Sequence, residues 1–167
     1  KWYGDNRWSS SYIISNAIGQ GEVLATPVQL ANMTAAIANR GFYYTPHILK
    51  KIEGKPINEP KFTKAKKTTI NKEHFEPIIE GMTKVFTSPG GTARWLQIPG
   101  ITAAGKTGTA ENFTKIDGVR TQLTDHSVFI AFAPVDNPKI AIAVYIENGY
   151  YGGRYAGHIA SLMIEKY

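Results

Sequence analysis

The chain has 167 residues, enough for one domain with a real core. Hydrophobic residues make up 43% and charged residues 19%, which excludes an intrinsically disordered chain. It contains no cysteine, which excludes disulfides, thiolate zinc sites and cysteine nucleophiles, and its formal net charge is a mild +6.

The chain opens on KWYGDNRW without an initiator Met, so it is expected to be cut from something longer, with any membrane anchor upstream. IGQGE, residues 18–22, reads as a glycine-flanked loop that turns tightly. Next, ATPVQLANMTAAIANRG predicts a helix over 27–39. Thr26 is a good N-cap, Pro27 suits the first helical position, and Gln29 completes a capping box. Leu30, Met33 and Ile37 recur on one face, and Gly41 is a natural stop. FYYTPHILKKIEGK, β-prone and then turning at a glycine, suggests a short hairpin or ribbon.

Residues 50–72 hold a good share of the positive charge. They have few aromatics to stack on bases and match no nucleic-acid module, so a solvated surface excursion is the better reading. A second helix is expected after Asn71, with Phe75, Ile78, Ile79, Met82, Val85 and Phe86 on one face. SPGG ends it, and a helical turn is expected around Thr92 to Leu96. From Ile101 the pattern changes to strands: ITAAGKTGTAE, then HSVFIAFAPV and KIAIAVYIENG. The last two are joined by a short loop and should pair antiparallel, with Ala141 and Ala143 implying the close approach of a helix. GGRYAGHIASLMIEKY closes the chain as a helix, with Ile159, Leu162, Met163, Ala156 and Ala160 expected to face the sheet. No apolar run is long enough to span a bilayer.

The stretch PGITAAGKTGTAEN carries two overlapping patterns. Gly100, Gly105, Lys106 and Thr107 fit the phosphate-cradling G-x-x-x-x-G-K-[ST]. That loop needs a buried strand before its first glycine and a helix opening at the Lys-Thr pair. Here Pro99 precedes the first glycine and Gly108 follows Thr107, so a nucleotide site, with Glu147 as a weak acidic partner for Mg²⁺, is a poor fit. The other pattern is K-T-G, from Lys106. Three residues alone are an ordinary strand sequence, but the antiparallel strands and closing helix that follow supply a setting. A strand there can present the Lys106 charge, the Thr107 and Thr109 hydroxyls and a backbone N–H near Thr109 facing an oxyanion. Gly108 would let a substrate peptide approach closely and add to the strand edge.

With these residues in view, AGKTGTAE resembles the third motif of the penicillin-binding protein and serine β-lactamase superfamily. IGQGEVLATPVQLANMTAAIANRG and HSVFIAFAPVDNPKIAIAVYIENG resemble class B penicillin-binding proteins, and the glutamine of GQG leans toward their elongation-type members. The resemblance implies an α+β, serine β-lactamase/transpeptidase-like fold, an antiparallel sheet flanked by helices. It would be incomplete, residues 1–167 forming the C-terminal portion of one transpeptidase domain. The implied activity is D,D-transpeptidation of peptidoglycan stem peptides through an acyl-serine, blocked by β-lactams, with no cofactor and no metal. Lys106, Thr107, Gly108 and Thr109 would form the substrate-binding strand. Lys106 and the hydroxyls would hold a terminal carboxylate, and the Thr109 N–H would be half of the oxyanion hole. The implied partners are stem peptides, β-lactams, the upstream half of the domain and an elongation machinery that includes a membrane glycosyltransferase. The implied location is the periplasmic face of the inner membrane.

One departure limits this. The superfamily needs S-x-x-K and S-x-N, yet none of Ser9, Ser10, Ser11, Ser15, Ser88, Ser127 and Ser161 has Lys three residues on or Asn two on. The nucleophile and its lysine are therefore expected upstream, and the chain alone is expected to be inactive. A non-catalytic penicillin- or peptide-binding sensor of the same fold would also keep K-T-G. A half-domain with open strand edges is further expected to self-associate.

The remaining polar residues have plainer readings. His47, His74, His126 and His158 lack metal-ligand spacing, and Asp125-His126 lacks a serine in a nucleophile elbow. Glu111 and Asn112 read equally as cleft rim or strand end. Tyr145, Tyr150, Tyr151 and Tyr155 read either as a binding surface or, the safer reading, as packing around the last turn, and the glycines of GYYGGRYAG as a turn with tight helix–sheet contact.

Overall fold

The computed structural model describes residues 9–21 and 23–167. Helix α1 (Ser10–Ala17), which the apolar pattern does not announce, buries none of its residues. Helix α2 (Pro27–Ala38) begins as its sequence predicts. The Thr26 N–H donates to Gln29 Oε1 at 2.8 Å, and the Gln29 N–H donates back to Thr26 Oγ1 at 3.4 Å. Such a cap is worth about 1 kcal/mol. The helix ends at Asn39, and Arg40 (φ +57°) and Gly41 (φ +105°) turn the chain away.

The basic excursion is a surface ribbon, as its composition suggests. Strand β1 (Phe42–Tyr43) pairs with the later β4 (Lys66–Lys67); between them lie the hairpin of β2 (Lys51–Ile52) with β3 (Lys55–Pro56) and the single turn α3 (Pro60–Thr63). Helix α4 (Glu76–Thr87) follows a 3₁₀ turn at Lys72–Phe75. Phe75, Ile79, Met82 and Phe86 are buried along one stripe, whereas Ile78 stands half exposed beside it. The expected short turn is a 3₁₀ helix at Arg94–Leu96 that buries Leu96.

Strand β5 (Ala104–Ala110) starts the main sheet. After it comes a hairpin, β6 (Phe113–Ile116) and β7 (Val119–Gln122), absent from the expectations above. Its turn is Asp117-Gly118 with both residues at positive φ, +50° and +79°. Asp-Gly is a favoured pair for such a two-residue turn, so the signal was present in the sequence. Strands β8 (His126–Ala133) and β9 (Ile140–Ile146) and helix α5 (Ala156–Lys166) complete the chain.

The sheet order is β5-β8-β9, antiparallel throughout. Thr107 stands opposite Phe129, which stands opposite Val144. One face of the sheet, with Phe129, Ala131 and Ile142, packs against Phe86, Leu96, Ala156, Ala160 and Ile164. The other face, with Ala104 and Phe132, packs against Ala38, Phe75, Ile79 and Met82. Ala141 and Ala143 lie beneath α2, so the small-residue face does receive a helix.

The reading of α5 needs correcting. Ala156, Gly157, Ala160 and Ile164 face the sheet, while Ile159, Leu162 and Met163 are 44%, 63% and 49% exposed. Near its start the helix is tightly packed: a Cβ at Gly157 would sit 2.5 Å from Leu96 Cδ1 and 3.4 Å from Phe129 Cδ2.

An ion pair joins the end of α2 to the start of α4: Arg40 Nε and Nη2 both donate to the Glu76 carboxylate. Those hydrogen bonds hold the Glu76 carboxyl below its ordinary value of 4.5. A depressed folded-state value means stability that is present above the ordinary value and lost as pH falls through the lowered one. The Glu76→Gln variant should therefore be less stable than the parent at pH 7, and the difference should shrink as pH falls below 4.5; urea denaturation at pH 7 and at acid pH checks this.

Candidate functional site

Strand β5 is the edge of its sheet, with one side paired to β8 and the other open. Side chains alternate along a strand. The face opposite α5 receives Lys106 and Gly108, and the α5 face receives Thr107 and Thr109. Lys106 is exposed, and its Nζ turns over the open edge to donate to the Thr107 C=O at 2.8 Å. The Thr109 C=O lies on the same open edge, accepting from Gln20 Nε2 at 2.7 Å. Strand alternation puts the Thr109 N–H beside it. The four residues that the K-T-G pattern singles out thus meet at one rim, a cation from one face and two hydroxyls from the other.

On the hydroxyl side lies a cleft of about 550 Å³, lined by Thr92, Trp95, Thr107, Thr109, Tyr151 and Arg154 among others. Thr92 and Thr107 share a hydrogen bond between hydroxyls at 3.1 Å. One proton of that pair stays free for a ligand. Thr109 Oγ1 accepts from the Gly152 N–H at 3.4 Å and keeps its own O–H to give. Hydroxyl donors beside a guanidinium suit a carboxylate, and the Trp95 and Tyr151 rings give apolar walls.

The floor of the cleft is set by backbone contact. A Cβ at Gly152 would lie 2.1 Å from the Gly108 C=O oxygen and 2.4 Å from that of Val128. The glycines of GYYGGRYAG do serve tight contact, here between a loop and the back of β5. Buried Ser127 pins the same loop, donating to the Tyr151 C=O at 3.0 Å and accepting from the Ala156 N–H at 3.1 Å.

The tyrosines are not the packing cluster that their spacing suggested: Tyr150 and Tyr151 are 58% and 68% exposed. The Ser127–Tyr151 bond and the positive φ of Tyr150 (+58°) hold the loop so that its rings turn outward. Partial burial, and then the Glu147 charge, pushes the Tyr145 phenol above its ordinary range and keeps it protonated.

Asp125 and His126 form no triad. Asp125 Oδ1 accepts from the Asn112 N–H and Gln122 Nε2, and His126 Nδ1 accepts from the Asn148 N–H. Asn112 also donates to the Thr124 C=O and to Asn148 Oδ1, so it closes the hairpin base and takes the strand-end role. Lys106 and Thr107 lie inside β5 and open no helix, which removes the phosphate-loop reading. The residues missed from sequence are Gln20, Thr92, Trp95 and Arg154. They come from separate segments: Gln20 from the glycine-flanked GQG, Arg154 from GYYGGRYAG, and Thr92 and Trp95 from the short turn, none of them marked by its segment as a site residue.

Comparisons with known proteins identify the fold that carries this arrangement. The family described as penicillin binding protein transpeptidase domain matches residues 3–165. The chain belongs to that family. Among its relatives, the peptidoglycan D,D-transpeptidase MrdA of Acinetobacter baumannii is 38% identical over 157 residues, 89% of this chain and 23% of that protein. MrdA of Haemophilus influenzae is 34% identical over 171 residues, 96% of this chain and 26% of that protein. Pseudomonas aeruginosa PBP2, solved in complex with WCK 5153, superposes with a TM-score of 0.79 at 34% identity, covering 96% of this chain and 34% of that one. The chain thus spans about a quarter of the length of the curated relatives it matches. The fold is that of the transpeptidase domain, present in part.

The close contact under the cleft is testable. Gly152→Ala should cost about 1–3 kcal/mol by overpacking the back of β5. Gly90→Ala, with nothing within 4 Å of its added Cβ, should stay within about 1 kcal/mol of the parent. Paired chemical denaturation curves check both.

Proposed function

We propose that this chain is the substrate-binding portion of a D,D-transpeptidase that cross-links peptidoglycan stem peptides. The observation that carries the reading is the open edge of β5: the Lys106 ammonium reaches over it to the Thr107 C=O, and the Thr107 and Thr109 hydroxyls line the cleft on the other face of the strand. An extended peptide adds to that edge as a strand, and its terminal carboxylate meets the cation and hydroxyls. The scissile carbonyl then lies at the Thr109 N–H, which stabilises the oxyanion of the tetrahedral intermediate. The serine nucleophile and its lysine come from a segment outside this chain. β-Lactams occupy the same edge as mimics of the donor peptide.

The support from relatives is consistent in kind: those named MrdA are described as peptidoglycan D,D-transpeptidases, and solved neighbours include penicillin-binding proteins with β-lactams attached. The Helicobacter pylori PBP2 neighbour is described in complex with MreC. An elongation role beside a membrane glycosyltransferase, on the periplasmic face of the inner membrane, follows from the same reading. Among the described residues no helix is long and apolar enough to cross a membrane, so in this reading the anchor belongs to another segment.

Intact-mass measurement after incubation with a penicillin tests the proposal. The full-length protein should gain one penicilloyl mass per molecule and this chain alone none. An adduct on this chain would place the nucleophile among its own serines, and an unreactive full-length protein would leave only the sensor role. In the full-length protein, Lys106→Ala should slow acylation at least about 100-fold, the scale for removing a charged or oxyanion-stabilising group.

A further inference from the structure

We propose that Gln20 is a positioning residue for the peptide-binding edge of β5, and this rests on the reading of β5 as the substrate strand. The Gln20 carboxamide makes two bonds to that edge: Nε2 donates to the Thr109 C=O at 2.7 Å, and Oε1 accepts from the Glu111 N–H at 3.2 Å. These are the two bonds that one residue of a parallel neighbouring strand would make around Ala110. A side chain from 89 residues upstream thus stands in for the next strand.

The arm that holds it is built for the purpose. The Gln20 N–H donates to the Ser15 C=O at 2.9 Å and the Gly19 N–H to the Asn16 C=O at 3.0 Å, tying the loop to the end of α1. Gly19 has φ +82°, and a Cβ at Gly21 would lie 2.0 Å from Asn16 Oδ1, so both glycines flanking Gln20 are required by the loop's geometry.

The clamp has one consequence for the site. It holds the peptide plane that follows Thr109, which limits rotation about the Thr109 backbone bonds and so steadies the residue that carries the Thr109 N–H. The Thr109 C=O keeps a second lone pair, and the Thr107 C=O on the same edge accepts from the Lys106 ammonium.

The test has two arms. In this chain, Gln20→Ala and Gln20→Met should each make the Glu111 amide exchange at least about tenfold faster by NMR. The Leu123 amide, bonded to the Asn112 C=O, should keep its rate. In the full-length protein both variants should slow acylation by a penicillin about tenfold, since small misplacements of reacting groups cost up to about 100-fold. Thermal midpoints should stay within about 2 °C of the parent. Unchanged Glu111 exchange overturns the clamp. Faster exchange with unchanged acylation overturns the positioning role, and so does parental acylation in Gln20→Met, which would assign the effect to side-chain volume. If the unsubstituted full-length protein takes no penicillin, the transpeptidase reading fails instead, and the exchange arm still decides whether the clamp exists.

Discussion

Strand β8 is paired on both edges and covered on both faces, and the rest of the structure depends on that confinement. Phe129 and Phe132 are three residues apart and so point to opposite faces, where each is fully buried. Phe129 meets Phe86 edge-to-face, with ring centroids 5.9 Å apart, on the side where α5 packs. Phe132 enters the second cluster, with Ala38, Phe75, Ile79 and Met82. Each ring removes a large apolar area from water, on the order of 2–3 kcal/mol. Together they lock the register in which β8 holds β5, because a one-residue slip would exchange the two faces.

Once β8 holds one side of β5, the other side is an edge. Edges are usually blunted by charge, by a bulge or by a covering element. Here the blunting is divided: Lys106 covers one carbonyl with a movable cation, and Gln20 covers the next with an anchored amide. The region left open between them holds the Thr109 N–H. In the proposed function, affinity for a peptide and protection against indiscriminate strand addition arise from the same few groups.

The cleft behind the edge depends on the same packing from the other side. Ser127 lies on β8 directly opposite Thr109, and its hydroxyl holds the loop that brings Gly152 against β5. That contact leaves Tyr151 and Arg154 lining the space beside Thr107 and Thr109. The curated relatives are about four times this chain's length, and this portion holds a strand edge with its supports; in the proposed function the reacting serine comes from another segment.

Much of this was legible in the sequence. The capping box at Thr26 and Gln29, the helical stripe through Phe86, the paired apolar strands and the strand setting of Lys106 all reflect local propensity and periodicity, which neighbouring residues carry by themselves. The Asp117-Gly118 hairpin is equally local, but the apolar pattern around it is too weak to mark its strands. Other features were beyond the reach of any window. Which face of α5 meets the sheet was decided by packing across the chain, which buries Ala156, Gly157, Ala160 and Ile164 and leaves the large Ile159, Leu162 and Met163 exposed. The outward tyrosines were decided by a hydrogen bond from Ser127, and the finishing of the β5 edge by a glutamine on a separate loop. The sequence by itself determined the elements and the chemistry on β5, because both depend on residues close together in the chain. Only the tertiary structure decided which groups surround that chemistry, because hydrogen bonds and close contacts form between segments that no periodicity relates.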